Sequence, residues 1–464
     1  MKMMTALALV LASAPAAYAA GPLNESFIEQ VGTHNNATIA QKHGNNNQAT
    51  SQTGQYNSVL STQNGAAAGA GPNNSANVQI GNDNTAMISQ KNGSNNQSTF
   101  QAGRANAVTT SQVSKLATGS NNSGNVQAGD FNTAMTTQTN SPPNSLATSV
   151  NYANDSLSAQ YGTGNTVIAK QTGGQNNQGT VQAGDDNLSQ VKQSDKAIVP
   201  TPGPVVGGAN TSFTGQFGDN NVVTTTQKTA DASGANGYGN ASASFQYGTG
   251  NVATIKQNGS ASAGGEFTPA NDGTYNTSAT LQIGDNNDVK VKQGGSTAGN
   301  FGATIADQAA NDTNASFVSQ TGTTNGAKIN QANGGNTQAT VQVGTSNAAT
   351  INQATQALGT GGGNNNALTA QYGTKNKAIV NQAMAVPLAV GDNNSFISQV
   401  GGSNVVNAAQ STGQQASAGN NTQVAIQVGT GNMATVAQAT GANVANTSYT
   451  AQYGSHNVAV VSQK

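Results

Sequence analysis

The chain has 464 residues, a formal net charge of -1 and 7% charged side chains, against about 25% in an ordinary soluble domain. Hydrophobic residues supply 34%, while 64 Asn, 44 Gln and 57 Gly together fill 165 of the 464 positions. This composition excludes a conventional apolar core and disorder driven by charge repulsion. With no Cys, it also excludes disulfide, zinc-thiolate and cysteine-nucleophile chemistry.

The 16 Lys and Arg are spread along the chain and make no basic footprint, so nucleic acid is not an expected partner. Uncharged, amide-rich sequence points either to a prion-like disordered chain or to cross-β stacking.

The first element is residues 1–20. Lys2 is followed by an apolar run from Met3 to Ala12 and a small-x-small site at Ala17-Tyr18-Ala19. This pattern predicts a secretory signal peptide cut after Ala19 or Ala20, and hence a secreted chain. No other apolar stretch approaches the ~20 residues that a spanning helix needs.

Residues 21–464 are read as one repeat array. With a reference Gln set at zero, each copy has Asn at -6, Gln at 0, Gly at +2, Asn at +5, a small residue at +7 and Gln at +11. Sixteen copies occur. The first is Asn24, Gln30, Gly32, Asn35 and Gln41. The third contains Gln79, Gly81, Asn84 and Gln90, and the ninth Gln246, Gly248, Asn251 and Gln257. The twelfth contains Gln342, Gly344, Asn347 and Gln353, and the last Asn446, Gln452, Gly454, Asn457 and Gln463.

Within a copy, -6 to +1 and +5 to +11 are each a normal strand length. Gly and two residues such as Asp285-Asn286 separate them, as a tight arc with positive φ requires. Period-two alternation and the abundance of Asn, Gly and Thr argue against helix. In the second strand the odd positions carry Asn, Ala or Val, an aliphatic residue and Gln, so that face is predicted to point inward.

In the first strand the amides alternate with apolar residues such as Phe27, Val31, Leu157 and Tyr161. Placing the amides inside leaves an outer apolar stripe, and this arrangement is preferred because the invariant residues are the amides. Stacked Asn and Gln can then form ladders in which each amide meets its twin one coil away, satisfying buried polar groups. At -4, Gln48, Gln97, Gln178 and Gln338 mark the copies that follow the shortest spacing of 22 residues.

The unit from 0 to +11 never changes length. All insertions follow +11, including Ser141-Pro142-Pro143-Asn144 and Pro200-Thr201-Pro202-Gly203-Pro204. Insertions at one corner of a constant coil are the mark of a solenoid. The predicted fold is therefore all-β: a β-solenoid of stacked strand-turn-strand coils with amyloid-like cross-β order.

The pattern Q-x-G-x-x-N-x-[AV]-x-x-x-Q, from Asn24 to Gln463, resembles the curlin repeat of the curli subunits of bacteria. Well-known curlins carry fewer copies, so this array is unusually long. The resemblance implies an extracellular functional amyloid. Its members are secreted through an outer-membrane pore with periplasmic chaperones, templated by a nucleator subunit, and stacked into a homopolymer fibre for adhesion and biofilm matrix. It also implies that arc aspartates such as Asp83, Asp130, Asp185, Asp186, Asp219 and Asp285 slow polymerisation. Ordinary turn preference explains them equally well.

No enzyme, cofactor or metal is expected. His34 and His43 sit in successive turns without a carboxylate partner, and no catalytic triad, phosphate loop or calcium-binding nonapeptide recurs. The expected function is a structural fibre subunit. The alternative is a monomeric β-solenoid adhesin or a nucleator subunit. Ice binding is disfavoured, because Lys290, Lys328 and Asn407 break the Thr row at +8.

Overall fold

The computed structural model describes residues 24–65, 71–92, 94–114, 120–140, 153–195, 209–229, 239–259, 276–294, 314–332, 335–355, 364–384, 391–412, 419–440 and 444–464. The predicted signal segment and both proline-containing insertions lie outside the described residues.

Those residues form 32 strands and no helix. Each coil contributes two: β1 (Asn24–Thr33) and β2 (Asn36–Lys42) make the first, β3 (Asn46–Gln55) and β4 (Ser58–Asn64) the second, and β31 (Asn446–Ser455) and β32 (Val458–Gln463) the last.

Two compact units divide them. Unit 1 holds the strands as far as β14 (Leu188–Ser194) and β15 (Asn210–Phe217). Unit 2 holds those from β16 (Val222–Thr229) and β17 (Asn240–Tyr247) onward. Within each unit the odd strands form one parallel sheet and the even strands another. The pairing is in register on the motif. Asn24 lies beside Asn46, Gln30 beside Gln52, Gly32 beside Gly54 and Gln41 beside Gln63. In unit 2, Asn314 lies beside Asn336 and Gln320 beside Gln342.

The β-solenoid reading of the sequence matches this architecture. Register is strongly specified because a one-residue slip would turn every buried amide outward. The two sheets line the interior with different chemistry. Even strands contribute aliphatic side chains at +7 and +9, among them Ala253, Ile255, Val289, Ile329 and Ile351, all fully buried. Full burial of each Ile stabilises by about 1.5–3 kcal/mol. Odd strands contribute Asn at -6, Ser or Gln at -4 except for Ala367, mostly Thr or Ser at -2 with Val318 and Ile397 among the exceptions, and Gln at 0. Their apolar positions at -3 and +1 face outward, as with Leu157 and Tyr161.

Strand limits differ from the sequence expectation. Odd strands such as β1 and β3 continue through the Gly at +2 to position +3. Even strands begin at +6, so Asn35 and its equivalents sit in the corner rather than starting a strand. The cause is intercoil pairing. Successive glycines remain in register, as Gly32 does with Gly54, which carries the ladder into the arc.

Candidate functional site: the amide ladders and the end coils

Four rows of amides run through each unit. The Gln at 0 donates from Nε2 to Oε1 of the next coil's Gln. Gln30 to Gln52 is 2.6 Å, Gln79 to Gln101 2.8 Å, Gln246 to Gln282 2.8 Å and Gln342 to Gln371 2.7 Å. The Gln at +11 does the same. Gln41 to Gln63, Gln90 to Gln112 at 2.9 Å, Gln257 to Gln293 and Gln353 to Gln382 form this row, the other three at 2.8 Å.

The asparagines run the opposite way. At -6, Asn46 Nδ2 donates back to Asn24 Oδ1 at 2.7 Å, and Asn446 to Asn421 at 3.3 Å. At +5, Asn57 donates to Asn35 Oδ1 at 3.1 Å, Asn84 to Asn57 at 3.0 Å, and Asn287 to Asn251 and Asn347 to Asn325 at 3.1 Å. The backbone N–H of Asn57 also donates to Asn35 Oδ1, and Asn84 and Asn287 repeat this two-donor bond, while Asn376 keeps the backbone donor to Asn347 Oδ1.

Each row also fastens a corner. Nε2 of Gln90 donates to the carbonyl of Asn74 in its own coil and to that of Asn95 in the next. Gln293 makes the same bond to Asn314 at 3.0 Å, although the connection there is much longer. At the other corner, Asn57 Nδ2 donates to the Gly81 carbonyl at 2.7 Å, and Asn347 to that of Gly373 at 2.9 Å. The amides of these four rows are thus buried yet satisfied, because inside each unit they have partners above, below and beside them, whereas other interior groups, such as the hydroxyls of Thr136 and Thr225, have none.

The Gly at +2 is required twice. Gly32, Gly81, Gly248 and Gly344 have φ between +114° and +122°. A β-carbon on any of them would also overlap the carbonyl oxygen of the next coil's Gly. At Gly454 the space is open, with Asn457 Nδ2 the nearest atom at 3.7 Å.

Two features escaped sequence reasoning. Position +4 takes the left-handed conformation whatever its residue, including Tyr56, Ala105, Phe131 and Thr324. No residue type marks it, since the fixed amides and glycine around it impose the turn. The Gln at -4 also acquires a role. Ser75 Oγ donates to Gln97 Oε1 at 2.8 Å, and Gln97 Nε2 donates to Thr99 Oγ1 of its own coil. Gln178 and Gln338 repeat this with Ser156 and Ser316. The longer amide bridges a Ser to a Thr that Ser at -4 would leave apart.

The arc aspartates bond between coils. Asp130 Oδ1 accepts from the Arg104 backbone N–H at 2.9 Å, Asp185 from Thr163 and Asp285 from Thr249. His34 stacks on Tyr56 with ring centroids 4.8 Å apart, and His43 Nδ1 lies 3.4 Å from Asn64 Oδ1, so the two histidines serve different corners.

The outermost described coils leave complementary groups. Beyond β1, the Oε1 atoms of Gln30 and Gln41 accept from no preceding Gln. Beyond β31 and β32, Gln452 Nε2 keeps only the Met433 carbonyl and Gln463 Nε2 only that of Thr447. Edge donors at one end therefore match edge acceptors at the other. No protein-family model matches this chain, and no curated protein matches it.

Proposed function

We propose that the chain is a structural subunit of an extracellular curli-type amyloid fibre, assembled by end-to-end β-strand stacking and serving adhesion and biofilm matrix. The observation that carries this reading is ladder polarity. Gln rows donate forward and Asn rows donate backward, so coil sixteen of one chain offers what coil one of another accepts. With each row meeting its own twin, as it does between coils of one chain, two like ends would oppose donor to donor in the Gln rows and acceptor to acceptor in the Asn rows, or the reverse. Twin-on-twin stacking therefore runs head to tail and stays open-ended. Unpaired strand edges supply the backbone part of the contact. The resemblance of the repeat to curlins, with its implied pore, chaperones and nucleator, supports the same assignment.

The test is assembly of the purified secreted chain, followed by thioflavin fluorescence and fibre diffraction. Fibres with a meridional reflection near ~4.8 Å are expected. A chain that stays monomeric, without that reflection, would favour the monomeric adhesin instead.

A further inference from the structure

The two outer faces of unit 2 differ sharply in charge. The even-strand face carries Lys256, Lys290, Lys292, Lys328 and Lys377, with Asp288 paired to Lys290. On the odd-strand face, from β17 to β31, the outward positions -5, -3, -1 and +1 of all eight coils hold no Asp, Glu, Lys, Arg, His or Pro. Large side chains stand exposed there: Tyr247 41%, Ile283 41%, Phe317 44%, Leu368 41%, Tyr372 44% and Tyr453 67%.

Volume is also levelled along this face. In seven of the eight coils a large residue at one of -3 and -1 faces a small one at the other, as in Ala279 with Leu281, Leu368 with Ala370 and Phe396 with Ser398; Val424 with Ile426 is the exception. Such compensation keeps the surface flat from coil to coil, as close packing against a second layer requires.

We propose that this face pairs with the same face of a second copy of the chain, two solenoids lying back to back. Eight strands at ~4.8 Å by seven residues at ~3.3 Å give a face of roughly 890 Å² per copy. That is of the size of the ~800 Å² per partner of a standard stable interface and exceeds the ~300–600 Å² patch of an ordinary monomer. A second copy is the fitting occupant because its side-chain rows repeat at the same interstrand spacing. The rows of two facing sheets then stay in step over all eight coils, which a partner of another repeat length cannot do. An uncharged face also gives a charged partner nothing to recognise.

This pairing does not depend on end-to-end stacking, so two readouts are used. Sedimentation of the soluble chain counts copies per particle. Mass per unit length counts solenoids per cross-section in any filament. The natural chain is expected to read two in each form that is present. Leu368→Lys/Tyr372→Lys should read one, a twofold fall, and so should Phe317→Lys/Thr321→Lys on a neighbouring coil. If the first variant loses its β-sheet circular dichroism, the second carries the reading.

Thr435→Lys/Ala437→Lys, on the even-strand face, should still read two. Mixing the Leu368→Lys/Tyr372→Lys chain with Leu368→Glu/Tyr372→Glu should restore two, because the same face meets itself. A natural chain that reads one throughout overturns the proposal. So does equal behaviour of the odd-face and even-face variants, or a folded Lys and Glu mixture that stays single. Filaments that fail to form, with sedimentation reading two, would count against the fibre assignment alone.

Discussion

Gln79 donates from Nε2 to Oε1 of Gln101 at 2.8 Å, 22 residues along the chain, with both side chains fully buried. Gln79 in turn accepts from Gln52 at 2.7 Å and reaches the Ser58 carbonyl at 3.1 Å. Gln79→Ala would leave Gln52 Nε2 and Gln101 Oε1 each short of a partner and open a cavity. The expected loss is about 2–4 kcal/mol, read as a lowered denaturant midpoint.

Gly344 and Gly326 should respond oppositely to alanine. Gly344 has φ +122°, and a β-carbon there would overlap the Gly373 carbonyl, whereas nothing lies within 4 Å of one at Gly326. Gly344→Ala is expected to cost about 3 kcal/mol or more through backbone strain and coil separation. Gly326→Ala should be neutral, or stabilise by about 0.4–1 kcal/mol through the unfolded chain. Equal melting temperatures for the two variants would contradict the stacking role of the arc glycine.

Thr136 and Thr225 occupy +9, where Ile or Val stands in most copies, and their buried hydroxyls have no hydrogen-bond partner. Thr136→Val or Thr225→Val keeps the shape and removes that unmet group. Each should stabilise by about 1 kcal/mol, measurable by calorimetry or denaturant unfolding. The gain is expected because β16, carrying Thr225, already places Ile255 of the next even strand in register beside it.

Connection length should matter little. Gln331 and Gln293 hold the following Asn carbonyl at 3.2 Å and 3.0 Å, yet they span 5 and 21 residues to it. Replacing residues 294–313 by the four residues 332–335 should keep the β-sheet signal and change stability by only about 1 kcal/mol, in the stabilising direction. Loss of folding would show that the connection itself holds the coils.

The open space at Gly454 separates folding from assembly. Gly454→Ala strains one residue of the last coil, at φ +102°, without a clash inside the chain. It should retain the fold but slow elongation at least tenfold, since an added coil would bring a carbonyl against the new β-carbon. Unchanged thioflavin kinetics would count against head-to-tail growth.

Much of this organisation could be read from residue order alone. Five invariant positions located every coil, the arc and the corner that takes insertions. The invariance of the amides at -6 and 0 points them inward, and Asn46 and Gln52 are buried. The start of the second strand is less legible. Asn35 bonds across coils from the corner, and that geometry depends on a residue 22 positions away.

The sequence by itself determined the period, the all-β class and which positions are equivalent, because each coil repeats the same local alternation and turn chemistry. Only the tertiary structure decided the direction of each ladder, the left-handed turn at Phe131 and Thr324, and the overlap that makes Gly32 irreplaceable. Periodicity states that Gln30 and Gln52 correspond, but an amide can donate either way along the axis. Which way it donates depends on the carbonyls and N–H groups that stacking brings beside it.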